Sequence, residues 1–145
     1  MSQEDFDFKV IDNVFVVVWK NVSTAAAKKI TEQVRVAHAD RGDLVYVALV
    51  PDGTPPPDDD GRAALSGAVK VLLPYCSSMH CVIEGSGFRK SVIRGAATGI
   101  FMLSGQRGKM KVHDTFTEAL RAAPAVQVSS IPSLIDRAQG VGVTR

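Results

Sequence analysis

The sequence predicts an α/β protein built on a mixed, mostly parallel sheet of about five strands. The first observation is the segment from Met79 to Leu103, where a short apolar strand passes through a glycine turn directly into a helix. A strand that feeds a helix in this way is half of a β-α-β unit, whose strands run parallel. The second observation is that apolar strands and amphipathic helices alternate along most of the chain. We therefore expect the order β-β-α-β-α-β-α-β-α.

Length and composition are those of a single globular domain. The chain has 145 residues, 46% of them apolar and 22% charged, which is enough for one hydrophobic core. A net charge of +2, without a basic run, does not favour nucleic-acid binding. The longest apolar run, Val14 to Trp19, is far shorter than the roughly 20 residues of a membrane span. Because the acidic N-terminus lacks a signal-peptide pattern, we expect a cytoplasmic protein with no membrane span.

The first half of the chain is expected to contain an antiparallel hairpin, two helices and a central strand. Asp12-Asn13 is a tight-turn pair between two β-branched runs, and LVYVALV is apolar enough to be buried on both faces. Trp19 is expected in the core, with an interface anchor as the alternative. The predicted strands are 6–11, 14–19 and 44–50, and the helices run from Ser23 or Thr24 to about Ala39 and from about Asp60 to Leu73.

The second half is expected to contain the third helix, a short strand, a closing helix and a tail. The strand is Lys109 to His113, and a capping box at Thr115 to Glu118 begins the closing helix. Residues 1–123 would form the domain, and residues 124–145 a tail with a short helix. The buried stripe predicted for the third helix consists of Phe88, Val92, Ala96, Ile100 and Leu103.

This order of elements resembles the STAS or SpoIIAA-like fold of bacterial anti-sigma factor antagonists. The segment VIEGSGFRKSVIRGAATGI, residues 82–100, looks especially like bacterial SpoIIAA-like proteins. The resemblance covers about Phe6 to Ala123 and rests on element order and apolar pattern. It implies a bacterial regulatory or scaffold module that acts through protein–protein interaction.

The loop after the central strand departs from that family. In the antagonists this turn carries the serine that a partner kinase phosphorylates, within an Asp-Ser-Ser-Gly-like sequence. The matching turn here, PDGTPPPDDDG, contains no serine, and Thr54 is its one hydroxyl. Phosphorylation of the usual kind is therefore not expected. Asp58, Asp59 and Asp60 are expected to cap the next helix, the alternative being a permanent mimic of the phosphorylated state.

The turn after the fourth strand is a candidate anion-binding site. Amides at a helix start, glycines and nearby cations suit a phosphate or carboxylate. The turn has neither P-loop nor dinucleotide-fingerprint spacing, so a purely structural turn is the alternative. A small anionic or lipid-like ligand would require a cavity bordered by this turn. The candidate ligand-binding residues are Gly85, Ser86, Gly87, Arg89 and Lys90.

Catalytic and metal-binding patterns are weak. Cys76, His80 and Cys81 are close in sequence, but zinc needs about four ligands, and the other histidines lie on separate elements. Cys81 is expected to be buried and Cys76, at a helix end, to be a more exposed thiol. Ser86 lacks the G-x-S-x-G elbow of a hydrolase. We expect no enzymatic activity, no metal and no cofactor.

The sequence therefore favours a non-catalytic binding module. The third helix ends in residues that are apolar on nearly all sides, which predicts a contact with a protein partner or with a second copy in a homodimer. The alternative is that the tail helix covers the same patch. The predicted partner-binding residues lie on this helix, the Pro/Asp loop and the tail: Phe101, Met102, Asp58, Asp59, Asp60, Leu134 and Ile135.

Overall fold

A five-stranded mixed sheet with four helices forms the described part of the protein, which in this computed structural model comprises residues 6–51, 53–85, 87–104 and 109–123. The strands are β1 (Phe6–Ile11), β2 (Val14–Trp19), β3 (Leu44–Val50), β4 (Cys76–Ile83) and β5 (Met110–His113). The helices are α1 (Thr24–Arg41), α2 (Asp59–Leu72), α3 (Gly87–Ser104) and α4 (Phe116–Ala122), and a short 3-10 turn (Leu73–Tyr75) follows α2. The predicted α/β architecture is confirmed. The predicted tail helix lies outside the described residues.

The strands lie in the sheet in the order in which they occur in the chain. β1 pairs antiparallel with β2 through a tight turn at Asp12, whose φ is 54°, and every later pair is parallel. Right-handed crossovers between successive parallel strands place their helices on one face of the sheet. The first hydrophobic cluster accordingly joins the sheet to residues of α1, α2 and α3.

The second face of the sheet is covered by α4. Phe116 and Leu120 of this helix, 4% and 0% exposed, pack on valines and leucines of β2 and β3. Thr115 begins the helix, because its hydroxyl accepts a hydrogen bond from the Glu118 amide at 3.1 Å. The Glu118 carboxylate accepts in return from the amide of Asp114. The predicted helix start at Thr115 is thus confirmed, and β3, covered on both faces, is buried along its whole length.

Two predictions about side-chain exposure are wrong. Val92 is 39% exposed, whereas Ile93 and Ile100 are 7% exposed and face the sheet. Because residues 92 and 93 are both apolar, the sequence pattern allows either of them to face the sheet. In the structure Ile93 packs against the sheet, and Val92 faces outward. Cys76 follows the 3-10 turn as predicted for a helix end, but it is only 2% exposed because it begins β4 and packs in the hydrophobic core. Burial raises the pKa of both cysteine thiols to about 12, so they are protonated at neutral pH.

We expect Leu120→Ala to reduce the free energy of unfolding by about 2–5 kcal/mol, since it leaves a cavity where α4 packs on the sheet. Arg121→Ala, on the exposed side of the same helix, is the control and should change it by less than about 0.5 kcal/mol. Urea unfolding measures both. Equal effects would show that α4 is not a structural part of the domain.

Candidate functional site

An apolar pocket of about 90 Å³ lies between the sheet and the helices α2 and α3. Trp19, Tyr46 and Met79 of three neighbouring strands contribute to its sheet side. Leu65 of α2 and Ala97 of α3 form part of its helical walls. The loop that follows β3 closes the pocket at one end through Thr54, Pro55 and Pro57. The pocket is partly open and almost entirely apolar.

An open groove of about 540 Å³ lies directly over this pocket, between α2 and α3. Pro57, Ala96 and Ile100 line both the groove and the pocket, so the two spaces share a wall. Most of the side chains along the groove are small or apolar. Its lining residues are Pro56, Pro57, Arg62, Ala63, Ser66, Val92, Gly95, Ala96, Gly99 and Ile100.

Hydrogen bonds hold the loop after β3 against the sheet. The Thr54 amide donates to the Pro51 carbonyl at 3.1 Å, and the Thr54 hydroxyl donates to the Trp19 carbonyl at 3.4 Å. Thr54 is 6% exposed, so the single hydroxyl of this loop faces inward, where a kinase has no access to it in this conformation. The loop therefore serves as a wall of the pocket.

The acidic residues that follow the prolines begin α2. Asp58 is the N-cap, and its carboxylate accepts a hydrogen bond from the Gly61 amide at 2.7 Å. Asp59 forms an ion pair with Arg62 one turn later. Asp59 and Asp60 lie in the first helical turn, where negative charge is favourable. The predicted capping role is confirmed at Asp58.

Gly61 allows the loop and the first turn of α2 to pack closely. A Cβ atom at this position would lie 3.2 Å from the Val22 side chain and 3.3 Å from Pro57, both of which line the pocket. Ordinary van der Waals contacts are longer, so a side chain here would push the pocket wall outward.

We expect Gly61→Ala to reduce the free energy of unfolding by about 1 kcal/mol, because the steric cost outweighs the higher helix propensity of alanine. Gly67→Ala on the same helix is the matched control: a Cβ there meets nothing within 4 Å. That variant should be more stable by up to about 1 kcal/mol. Denaturant unfolding measures the change in stability of each variant. If Gly61→Ala were stabilising, as Gly67→Ala is expected to be, that result would contradict the packing described for Gly61.

The polar groups inside the pocket are uncharged at neutral pH. Burial raises the pKa of Tyr46 far above its usual range, so its hydroxyl is neutral. The Cys81 thiol, also on the pocket wall, stays protonated for the same reason. A ligand in this pocket would therefore meet a neutral, largely apolar environment.

The predicted anion-binding turn is a left-handed glycine turn at the start of α3. Gly85 and Gly87 have φ values of 97° and 82°, which glycine adopts without strain. Lys90 lies 2.8 Å from the Asp114 carboxylate, and this contact lowers the pKa of Asp114. Ser86 and the side chain of Arg89 lie outside the described part. None of the described residues of this turn lines the pocket between α2 and α3.

The described residues that the sequence predicts as partner-binding, Asp58 to Asp60 and Met102, are not among those that line the groove. The groove joins the proline loop to α3, through Pro56, Pro57 and Val92. Met102, near the end of α3, is 53% exposed but is not among the groove residues described. The Phe101 side chain and the tail residues Leu134 and Ile135 lie outside the described part of the chain.

A chain of hydrogen-bonded side chains on the second face of the sheet was not predicted from the sequence. The Ser78 hydroxyl lies 2.9 Å from Nε2 of His80, and Nδ1 of His80 lies 2.9 Å from Nε2 of His113. Ser78 and His80 share a face because they are two residues apart on β4. The spacing of Ser78 and His80 was visible in the sequence. The contact with His113 was not, because it depends on the pairing of β4 with β5, in which His113 lies beside Val82.

The two histidines that share these hydrogen bonds, His80 and His113, are neutral at neutral pH. Burial is the main cause that lowers the pKa of His80 to about 4, and the neighbouring His113 and Lys111 add to it. Burial also lowers the pKa of His113, while Glu118 acts in the opposite direction. Ser78 is 4% exposed, which closes it to a substrate in this conformation. Within the described residues, no three His, Cys, Asp or Glu side chains are placed to hold a metal ion.

We expect the protein to lose stability, on the order of 2 kcal/mol, as the pH falls from about 6.5 to about 4, because the unfolded chain binds a proton at residue 80 more readily than the folded one. His113→Gln removes the neighbouring imidazole and should raise the pKa of His80. The matched control is His38→Gln, at the residue of α1 that pairs with Asp43 just after the helix. NMR titration of the imidazoles measures the pKa of His80, and urea unfolding at each pH measures the stability. A normal pKa for His80 in the wild type would contradict the expectation.

The fold and these cavities define the protein as an α/β chain with a mixed five-stranded sheet and an apolar cleft between two helices. A scan against protein-family models finds no match, and a search of curated proteins finds no similar chain. Across the described ranges, none of the helices combines the length and the apolar character needed to cross a membrane.

Proposed function

We propose that this chain is a STAS-like, non-catalytic regulatory or scaffold module of the bacterial cytoplasm, and that it acts by binding another protein through the groove between α2 and α3. The observation that carries the proposal is the groove itself. It joins the two regions that the sequence predicts as contact surfaces, the proline loop and the face of α3. The alternative partner is a second copy of the same chain.

The floor of the groove suits the close approach of another backbone. Gly95 and Gly99 lie one turn apart on α3, and a Cβ at either position would meet nothing within 4 Å. Ala63 and Ser66 on α2 face them across the groove. An amphipathic helix that lays its apolar side in a groove is a common form of protein recognition, and this groove has the apolar walls that it requires.

The rim of the groove supplies both apolar and charged contacts. Val92 is 39% exposed at one side, and Pro56 forms part of the other. Arg62 is half-exposed beside Asp59, so a partner can exchange this surface ion pair for its own at little cost. An apolar centre with a polar rim is the usual composition of a protein interface.

We expect Gly99→Leu to weaken binding by roughly tenfold or more, because the leucine occupies the groove. The variant should not lose stability, since leucine forms helix better than glycine and the position is open. Gly67→Leu is the matched control on an exposed part of α2, and it should bind as the wild type does. Light scattering reports self-association, and photo-crosslinking from residue 92 reports a foreign partner.

The proposal fails if Gly99→Leu forms the same dimer, or the same crosslinked complex, as the wild type. The anion-binding turn at Gly85 to Lys90 stays the alternative prediction, as a site for a small anionic or lipid-like ligand. Lys90 and Arg94 both contact Asp114 there, so their charge is already partly neutralised.

A further inference from the structure

We infer that the pocket beneath the groove binds the hydrocarbon end of an aliphatic chain whose anionic head group lies in the groove near Arg62. This inference goes beyond the proposed protein interaction, because it assigns a small-molecule ligand whose hydrocarbon end lies in the deeper pocket and whose head group lies in the groove. It rests on the size of the pocket, the chemistry of its lining and its position under the groove.

The size of the pocket selects the shape of the ligand. An engineered apolar cavity of roughly 150 Å³ accepts benzene. The present pocket, at about 90 Å³, is smaller and has room for several methylene groups of a straight or singly branched chain. A longer chain would continue into the groove past the shared residues Pro57, Ala96 and Ile100.

The lining of the pocket favours hydrocarbon over a polar ligand. The Thr54 hydroxyl donates a hydrogen bond to the Trp19 carbonyl, and the remaining described walls are mainly aliphatic or aromatic. His80 also borders the pocket, but its two ring nitrogens are directed to Ser78 and His113. A charged group in this space would lose its hydration without compensation. The head group must therefore remain outside.

The groove offers a position for that head group. Arg62 is the cationic side chain among the described groove residues, and its side chain is 51% exposed. A guanidinium binds carboxylate and phosphate oxygens well, and Asp59, which is 93% exposed, can turn away to solvent. A free fatty acid and a phospholipid share this chemistry of an aliphatic chain with an anionic end.

Trp19 allows a direct test, because it is the single tryptophan of the chain and lines the pocket. Decanoate that carries bromine on its terminal carbon should quench Trp19 fluorescence in a saturable manner. Unlabelled hexanoate, octanoate and decanoate should displace it, with affinity rising by up to about fourfold per methylene that becomes buried. Vesicles of a terminally brominated phosphatidylglycerol form a second arm of the test. Quenching by the free acid identifies a fatty acid as the ligand source, and quenching by the vesicles alone identifies a membrane lipid.

Two variants of the pocket should shift the affinity in opposite directions. Ala97→Leu fills the pocket and should weaken decanoate binding by roughly tenfold or more. Leu65→Ala enlarges the pocket and should increase the affinity for decanoate. Ala25→Leu, the same change on the exposed side of α1, is the control and should bind as the wild type does. Urea unfolding of each variant verifies that it is folded.

Arg62→Gln tests the position of the head group. This variant should bind decanoate severalfold more weakly than the wild type does. Its affinity for decanol should be unchanged, since the alcohol has no charge to pair with Arg62. The inference is overturned if neither acid nor vesicles quench Trp19 saturably, or if folded Ala97→Leu binds decanoate as the wild type does. Neither result affects the groove proposal, whose Gly99→Leu variant is measured without lipid.

Discussion

The order in which the strands join the sheet is the constraint on which the rest of this structure depends. Each parallel strand is added beside the previous one, and a right-handed crossover places its helix on the same face each time. Three helices therefore lie side by side on one face, and α2 and α3 become neighbours. The groove between them, and the loop after β3 that runs across its end, are consequences of that order.

The pocket exists because the residues where α3 approaches the sheet are small. Ala96 and Ala97 of α3 and Ala48 of β3 all line the pocket, so short side chains are present on both its helical side and its sheet side. Larger side chains at these positions would fill the space between α3 and the sheet. The short side chains instead leave apolar surface that a ligand can contact, which agrees with a binding role.

Local patterns were sufficient for the architecture but not for the site. The apolar run of β3, the helix start at Thr115 and the Asp58 cap were predictable because each depends on neighbours in sequence. The phase of α3 was assigned incorrectly, since only contact with the sheet distinguishes Val92 from Ile93. The groove and the His80–His113 pair were missed for a related reason: both depend on elements distant in sequence, which no local spacing reports.

His80 borders the pocket, but the polar atoms of the Ser78 and His80 side chains are directed away from it. Met79 and Cys81 face the pocket, whereas the side chains of Ser78 and His80 form their hydrogen bonds on the α4 side. A hydrolytic site needs its nucleophile and base inside the cavity that holds the substrate. Here the sheet itself stands between the pocket and the Ser78 hydroxyl, which is 4% exposed. This separation supports binding rather than catalysis as the activity of the cleft between α2 and α3.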